Sequence, residues 1–339
     1  MPGKAVSIYD IAQLAGVSTA TVSKVLNGKG SISQATKDRV LEIAQREGYV
    51  ASYAARTLSR GDTHTVGILA PDVSNPFFSG LVRRVETLLY DAGYVCYVCD
   101  TGNDAGRARR NLQSLAQRQV SGLVFVNGRY DLDDLGVADG LPVVEVDPVM
   151  HARRPWTVSV GNDFSAMARD AVRLLARRGC RRIALLSVFT GATSSDGEWM
   201  GLRATLAEFG LTPDRNLVLV GPHRKESRVE AAELVGQCLD DGYRMDGIVC
   251  LGDRIALGAC QALRERGLEI GRDVLVVGMD NSLFSQVAVP AISSVDRHED
   301  EMAECGVEAL LSMVRGEEPE EDRITVGYDI VERESTLGA

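Results

Sequence analysis

Histidine is scarce in this chain of 339 residues: four in all, His64, His151, His223 and His298, too far apart to give a metal-ligand spacing. Neither a GxxxxGK[ST] phosphate loop nor a GxSxG nucleophile elbow occurs. Catalysis is therefore not expected, and neither a metal nor another cofactor. No run of about 18 apolar residues is present and the first residues lack the apolar stretch of a secretory leader, so neither a membrane span nor export is expected and the location reads as cytoplasmic. The seven cysteines, at 96, 99, 180, 238, 250, 260 and 305, are odd in number and scattered, as suits reduced thiols packed as small apolar groups. Cys96 and Cys99 form a CxxC, yet the strand-like setting YVCYVCD points them to opposite faces and no second pair with ligand spacing follows.

What is present is an ordinary globular composition, 45% hydrophobic and 25% charged, at a length that suits two or three domains. The net charge of -10 argues against a polyanionic partner until its distribution is examined. Residues 1–60 hold eight Lys or Arg (4, 24, 29, 37, 39, 46, 56, 60) against four acids (10, 38, 42, 47), giving +4 and leaving -14 for the rest. A basic head on an acidic body suits a protein that grips a polyanion with one part only.

The head begins with Ser7 to Gly28, SIYDIAQLAGVSTATVSKVLNG, which reads as two short helices joined by a tight turn. Ser7 caps the first, whose apolar face is Ile8, Ile11, Ala12 and Ala15, and Gly16 stops it. Ser18 or Thr19 opens the second, with Val22, Val25 and Leu26 inward and Thr19, Ala20, Ser23, Lys24 and Asn27 outward. That small, polar, singly basic face fits a major groove about 12 Å wide, with hydroxyls for phosphates and Lys24 for a guanine edge. A third helix, about Gln34 to Glu47, is capped by Ser33, carries an inner stripe of Val40, Leu41 and Ala44, and ends at Gly48. The segment Tyr53 to Ser59 is shorter than the ~12 to 15 residues an isolated helix needs, so it folds only against a partner.

From Thr65 onward, apolar runs at 66–70, 94–98, 122–126, 143–146, 183–188, 217–220, 248–251 and 274–277 alternate with amphipathic helices, the clearest being Leu81 to Ala92. The pattern predicts an α/β fold: two doubly wound lobes of parallel strands, crossed near Val158 to Phe164 and again near Pro290 to Val295, with a cleft at the carboxyl ends of the strands. The first strand delivers Asp72, Asn75, Phe77 and Phe78 to its mouth, where aromatic faces and hydrogen-bonding side chains suit sugars, bases, hydroxyls or amines. Asp253 and Asp280 follow later strands, each readable as a ligand contact or as the cap of the next helix.

The helix-turn-helix, together with Gly48-Tyr49, Ala55-Arg56-Thr57-Leu58, Val66 to Phe78 (VGILAPDVSNPFF), Val276 to Asp280 (VVGMD) and Arg333 to Thr336, resembles the lac repressor (LacI/GalR) family of bacterial transcription regulators over nearly the whole length. The resemblance implies a helix-turn-helix headpiece (1–50), a hinge helix or linker (51–63) and a periplasmic-binding-protein-like core (64–339), with one lobe at about 64–161 and 294–322 and the other at 162–293 and 323–339. It implies that Thr19, Ala20 and Lys24 read bases while Ser7, Tyr9, Ser18, Thr21, Ser23 and Asn27 face the duplex, with Ala55 and Leu58 in the hinge and Leu58 wedged into the minor groove. It also implies a homodimer, with tetramers left open, on the double-stranded DNA of a near-palindromic operator, and a small-molecule effector contacted by Phe77, Phe78 and Asp280. Three positions depart from the family pattern: Glu198 in place of an arginine, Gly161 in place of an aspartate and Gly252 in place of an asparagine. An acidic cleft of Asp72, Glu198 and Asp280 then disfavours anions and favours a neutral polyol or an amine-bearing ligand, unless a basic residue such as Arg129 compensates. Two rival readings share such a core, a solute-binding protein of a transport system and an enzyme; the headpiece argues against both.

Overall fold

A computed structural model describes residues 6–26, 30–49, 63–128, 130–148, 154–188, 202–221 and 226–338. The chain divides into two units, Met1–His64 and Thr65–Ala339.

In the first unit, α1 (Ile8–Ala15), α2 (Thr19–Leu26) and α3 (Gln34–Arg46) enclose a small core centred on Ile11, Val22 and Val40, all fully buried. Ser7 and Asp10 form a reciprocal capping box at the start of α1, satisfying amides that the helix leaves without partners. Gly16 closes α1 at φ +62°, a left-handed conformation that lets the chain reverse at once into α2. The stripe of α3 is Val40, Ile43 and Ala44, whereas Leu41, expected inside, is 49% exposed because it lies off the three-and-four-residue step.

The second unit is built on two six-stranded sheets. The first holds β1 (Thr65–Ala70), β2 (Val95–Asp100), β3 (Gly122–Val126), β4 (Val143–Val146), β5 (Thr157–Gly161) and β11 (Arg323–Thr325), ordered β11-β5-β4-β3-β1-β2 and parallel throughout. The second holds β6 (Ile183–Ser187), β7 (Val218–Val220), β8 (Gly247–Cys250), β9 (Leu275–Met279), β10 (Ser293–Asp296) and β12 (Asp329–Val331), ordered β12-β10-β9-β8-β6-β7, with only β12 antiparallel. β1, β3, β4, β6 and β8 are buried along their whole length, as strands covered by helices on both faces must be, and so read as unbroken apolar runs. The helix Pro76–Asp91 starts with proline in its first turn and the Asn75 side chain accepting from Phe77 N–H, then packs Leu81, Val85 and Leu89 into the first lobe.

The chain passes between lobes three times, and two of the expected boundaries shift. The first passage follows β5. The second is expected near 290–295, but β10 pairs with β9, Ser293 opposite Val277, so strand 293–296 belongs to the second lobe and the passage falls at Arg297 and His298. The helix Glu299–Val314 then returns to the first lobe's core. Segment 323–339, assigned whole to the second lobe, is divided: β11 pairs with β5 and β12 with β10, so a third passage lies at 326–328. The reason is physical: SSVD and RIT are too short and too polar to show a strand period, and pairing rather than hydrophobicity decides where they go.

Candidate DNA-reading face and interlobe cleft

On α2 the alternation holds: Val22 and Val25 are buried, Ala20 and Lys24 exposed, and Thr19, Thr21 and Ser23 half-buried. The Ser18 hydroxyl accepts from Thr21 N–H at 3.1 Å and lies 2.9 Å from Thr21 Oγ1, so this pair of expected duplex-facing residues already caps the helix. Ser7 is similarly engaged, its hydroxyl donating to Asp10 Oδ2 at 2.6 Å. Tyr9 is 73% exposed on α1. Thr19, Ala20, Ser23 and Lys24 thus share one face, small enough to sit against a base-pair edge. Asn27, Ala55 and Leu58, like Glu198 and Arg129 in the core, lie outside the described residues.

In the core the residues just past the strands meet between the lobes, in two arrangements, each built around an arginine from a distant element. Asp72, beyond β1, accepts from Ser74 N–H (2.8 Å) and Ser74 Oγ (2.6 Å) and then from Arg254 Nη1 at 2.7 Å, a bridge from the first lobe to the second. Arg254 also holds Glu226 at 2.7 Å. Burial works against ionisation of Asp72, but the Ser74 bonds and Arg254 outweigh it and leave its pKa lowered.

Deeper in, Arg297 stands at the second passage with its side chain 5% exposed. It donates to Asp147 just past β4, to Asp280 Oδ1 just past β9 at 3.4 Å, and from Nε to Asn162 Oδ1 at 3.2 Å. Its guanidinium carbon lies 4.4 Å from the centroid of the Phe77 ring and 5.9 Å from that of Phe164. Burial alone lowers the pKa of Arg297, but the Asp147 and Asp280 charges reverse this and raise it. Burial, then the neighbouring Asp253, pushes Asp280 well above the carboxylate range, with Arg297 pulling the other way. The acidic cleft expected from Asp72 and Asp280 is thus corrected: Asp72 is paired with Arg254, and Asp280 faces Arg297 while burial favours its uncharged form.

Asn162 joins the three passages. Its amide reaches the carbonyls of Arg297 (3.2 Å), Val326 (3.1 Å) and Gly327 (2.8 Å) while its oxygen holds Arg297. Asn127, Asp147 and Asp280 all have positive φ, at 51°, 55° and 116°, conformations that cost about 1–3 kcal/mol each and cluster where function needs a side chain aimed.

The other expected effector contacts take structural positions. Asn75 caps the helix that begins at Pro76. Phe78 belongs to the first lobe's core, and Phe77, 1% exposed, carries Arg297 over its ring. Asp253, 1% exposed, accepts from Ser282 N–H (2.7 Å), Ser282 Oγ (2.8 Å) and Ser294 Oγ (2.6 Å), so it ties β10 to the turn after β9; it is neither an open ligand contact nor a side-chain cap. A side chain at Gly278 would come within 2.3 Å of Asp253 Oδ1, which explains the glycine of VVGMD. Asp147, Asn162, Arg254 and Arg297 escaped the sequence reading; the usable signal for Asp147 was its place immediately after the apolar run VVEV, the same position that marked Asp280 after VVGM.

A helix-turn-helix head followed by a two-lobed core with a strand-end cleft defines the class of DNA-binding regulators with a ligand-receiving core. Residues 7–52 match the family model for bacterial regulatory proteins of the lacI family, and residues 172–336 that for the periplasmic binding protein-like domain. The HTH-type transcriptional regulator RegA of Clostridium saccharobutylicum is 28% identical over 334 residues, covering 98% of this chain and 100% of RegA. The HTH-type transcriptional repressor PurR of Pectobacterium atrosepticum is 29% identical, covering 97% of this chain and 96% of PurR. Among solved structures, the lac repressor dimer bound to operator and the anti-inducer ONPF superposes with a TM-score of 0.84 at 22% identity, covering 99% of this chain and 100% of the other. The transcriptional regulator CelR–cellobiose complex gives 0.69 at 26% identity, covering 97% and 99%. Residues 7–52 thus carry the DNA-binding head of the lacI family, and over almost its whole length the chain is similar to DNA-binding transcription regulators that bear such a head. The relatives are regulators rather than enzymes. Among the described residues no helix is long and apolar enough to cross a membrane.

Proposed function

We propose that this regulator acts in the cytoplasm as a repressor, binding a near-palindromic operator as a homodimer and changing its grip when a small metabolite occupies the interlobe cleft. The observation that carries the reading is the convergence of strand-end side chains from both lobes on one point, Asp147 and Asp280 around Arg297, where a ligand that prefers one lobe arrangement can bias the other. Such coupling is typically about 1–3 kcal/mol. Pairing of two chains is supported by apolar side chains left exposed on the first lobe's edge, Tyr90, Val95, Tyr97 and Val98, and on the second lobe, Leu283, Val287, Val289 and Leu337. A transport-system binding protein needs no reading head, and the polar face of α2 has no use in one. The test is selection of duplexes from a random pool by the purified full chain, followed by a screen of sugars, polyols and amines for compounds that alter binding to the selected duplex. Enrichment of two half-sites and a metabolite-dependent change support the reading; a pool that never departs from random overturns it.

A further inference from the structure

We infer that Arg297 is a built-in occupant of the cleft, holding the place that the charged group of a small organic cation, an amine, amidine or guanidine, takes in the effector-bound protein. The inference deepens the reading of the cleft as an effector site and rests on it. The guanidinium is held as a bound ligand is held, by one carboxylate from each lobe, by the Asn162 oxygen at the first passage and by the face of the Phe77 ring at 4.4 Å. The cage does not depend on Arg297 for its shape. Asp147 accepts from Asn127 Nδ2 at 3.1 Å, Asp280 accepts from Asp253 N–H at 3.4 Å, and the Asn162 amide is anchored on three backbone carbonyls. One of those carbonyls is that of Arg297 itself, so its backbone stays in place when the side chain swings out.

Charge then selects the newcomer. A neutral polyol that displaced the guanidinium would leave Asp147, 10% exposed, without a counter-charge, and an anion would add a further negative charge beside it. A cation exchanges one positive charge for another and keeps the aromatic contact. The amine alternative of the expected ligand classes is therefore the one that the geometry favours.

The test uses the full chain with Arg297→Ala, which empties the cage, and titrates it with ethylguanidinium chloride and with the neutral isostere N-ethylurea, read by calorimetry and thermal shift against sodium chloride at equal ionic strength. Saturable binding of ethylguanidinium, about tenfold or more tighter than to the unmodified chain and to N-ethylurea, and lost on adding Asp147→Asn, is the expected result. No saturable binding, or equal binding of the urea, overturns the inference. Should Arg297→Ala lack a cooperative melt, Arg297→Gln, which removes the charge but fills part of the space, takes its place under the same criteria. A chain that selects duplexes yet ignores ethylguanidinium defeats this inference alone, whereas one that selects none defeats the regulatory reading as well.

Discussion

Replacing Arg297 by Gln in the full chain leaves Asp147 and Asp280 facing each other without a cation, and the cost follows from their burial. Removing one partner of a buried ion pair typically costs about 3–5 kcal/mol. Asp280 is already pushed well up by burial and by Asp253, with Arg297 pulling the other way, so without Arg297 its pKa rises further and it stays uncharged to higher pH, which relieves part of the penalty. The low end, about 3 kcal/mol, is therefore expected, which in a unit of this size lowers Tm by about 6–12 °C. The sign with pH is fixed as well. The folded variant keeps the Asp280 proton to higher pH than the folded unmodified chain does, so its deficit is smallest in acid and grows as pH rises past the already raised Asp280 pKa of the unmodified chain. Adding Asp147→Asn removes one of the stranded carboxylates and should recover about 1–2 kcal/mol, a coupling that independent sites would not show. Urea unfolding at several pH values, followed by tryptophan fluorescence, measures all three variants. If the double variant is less stable than Arg297→Gln by the full cost of Asp147→Asn alone, the buried bridge between the lobes is not there.

Asn162→Ala strips three carbonyls of their donor, and at about 1 kcal/mol per bond it should cost roughly 2–3 kcal/mol in thermal unfolding. Glu299, half of an ion pair with Arg84 at 2.8 Å, is raised by burial to about 7 despite that partner. Its folded form keeps a proton that the unfolded chain loses above about 4.5, so stability falls as pH rises from there through 7; Glu299→Gln should flatten that descent by about 1–3 kcal/mol in a pH series of melts. Lys24→Ala should weaken duplex binding and lower the slope of log K against log salt by about 1 in an anisotropy titration, and an unchanged slope would remove Lys24 from the phosphate or base contacts.

The headpiece was almost fully legible because its determinants are local: Ser7, Gly16 and Ser33 mark helix ends by their own chemistry, and the inward residues keep a 3.6 period. Leu41 shows the limit, since one apolar residue off the stripe looks the same as one on it. The buried parallel strands were legible as apolar runs, whereas β10 and β11 were not, being short segments placed by their neighbours. The cleft was legible only in half. Asp280 stood out at the end of an apolar run, but the role of Arg297 depends on carboxylates 150 and 17 residues away, a relation that no local pattern contains. Asp72 and Asp280 looked like a net acidic site for the same reason, because the arginines that neutralise them come from distant elements.

Everything the regulator does rests on α2 reading duplex DNA by sequence. The most direct measurement is the affinity of the full chain for its selected duplex against a shuffled one of equal length, at about 0.15 M salt, with Ala20→Asp as the control that places a charge on the reading face. A preference of about 10³-fold or more for the selected duplex, abolished by Ala20→Asp, is the expected result. Equal affinity for both duplexes, or a preference that Ala20→Asp leaves intact, would contradict it.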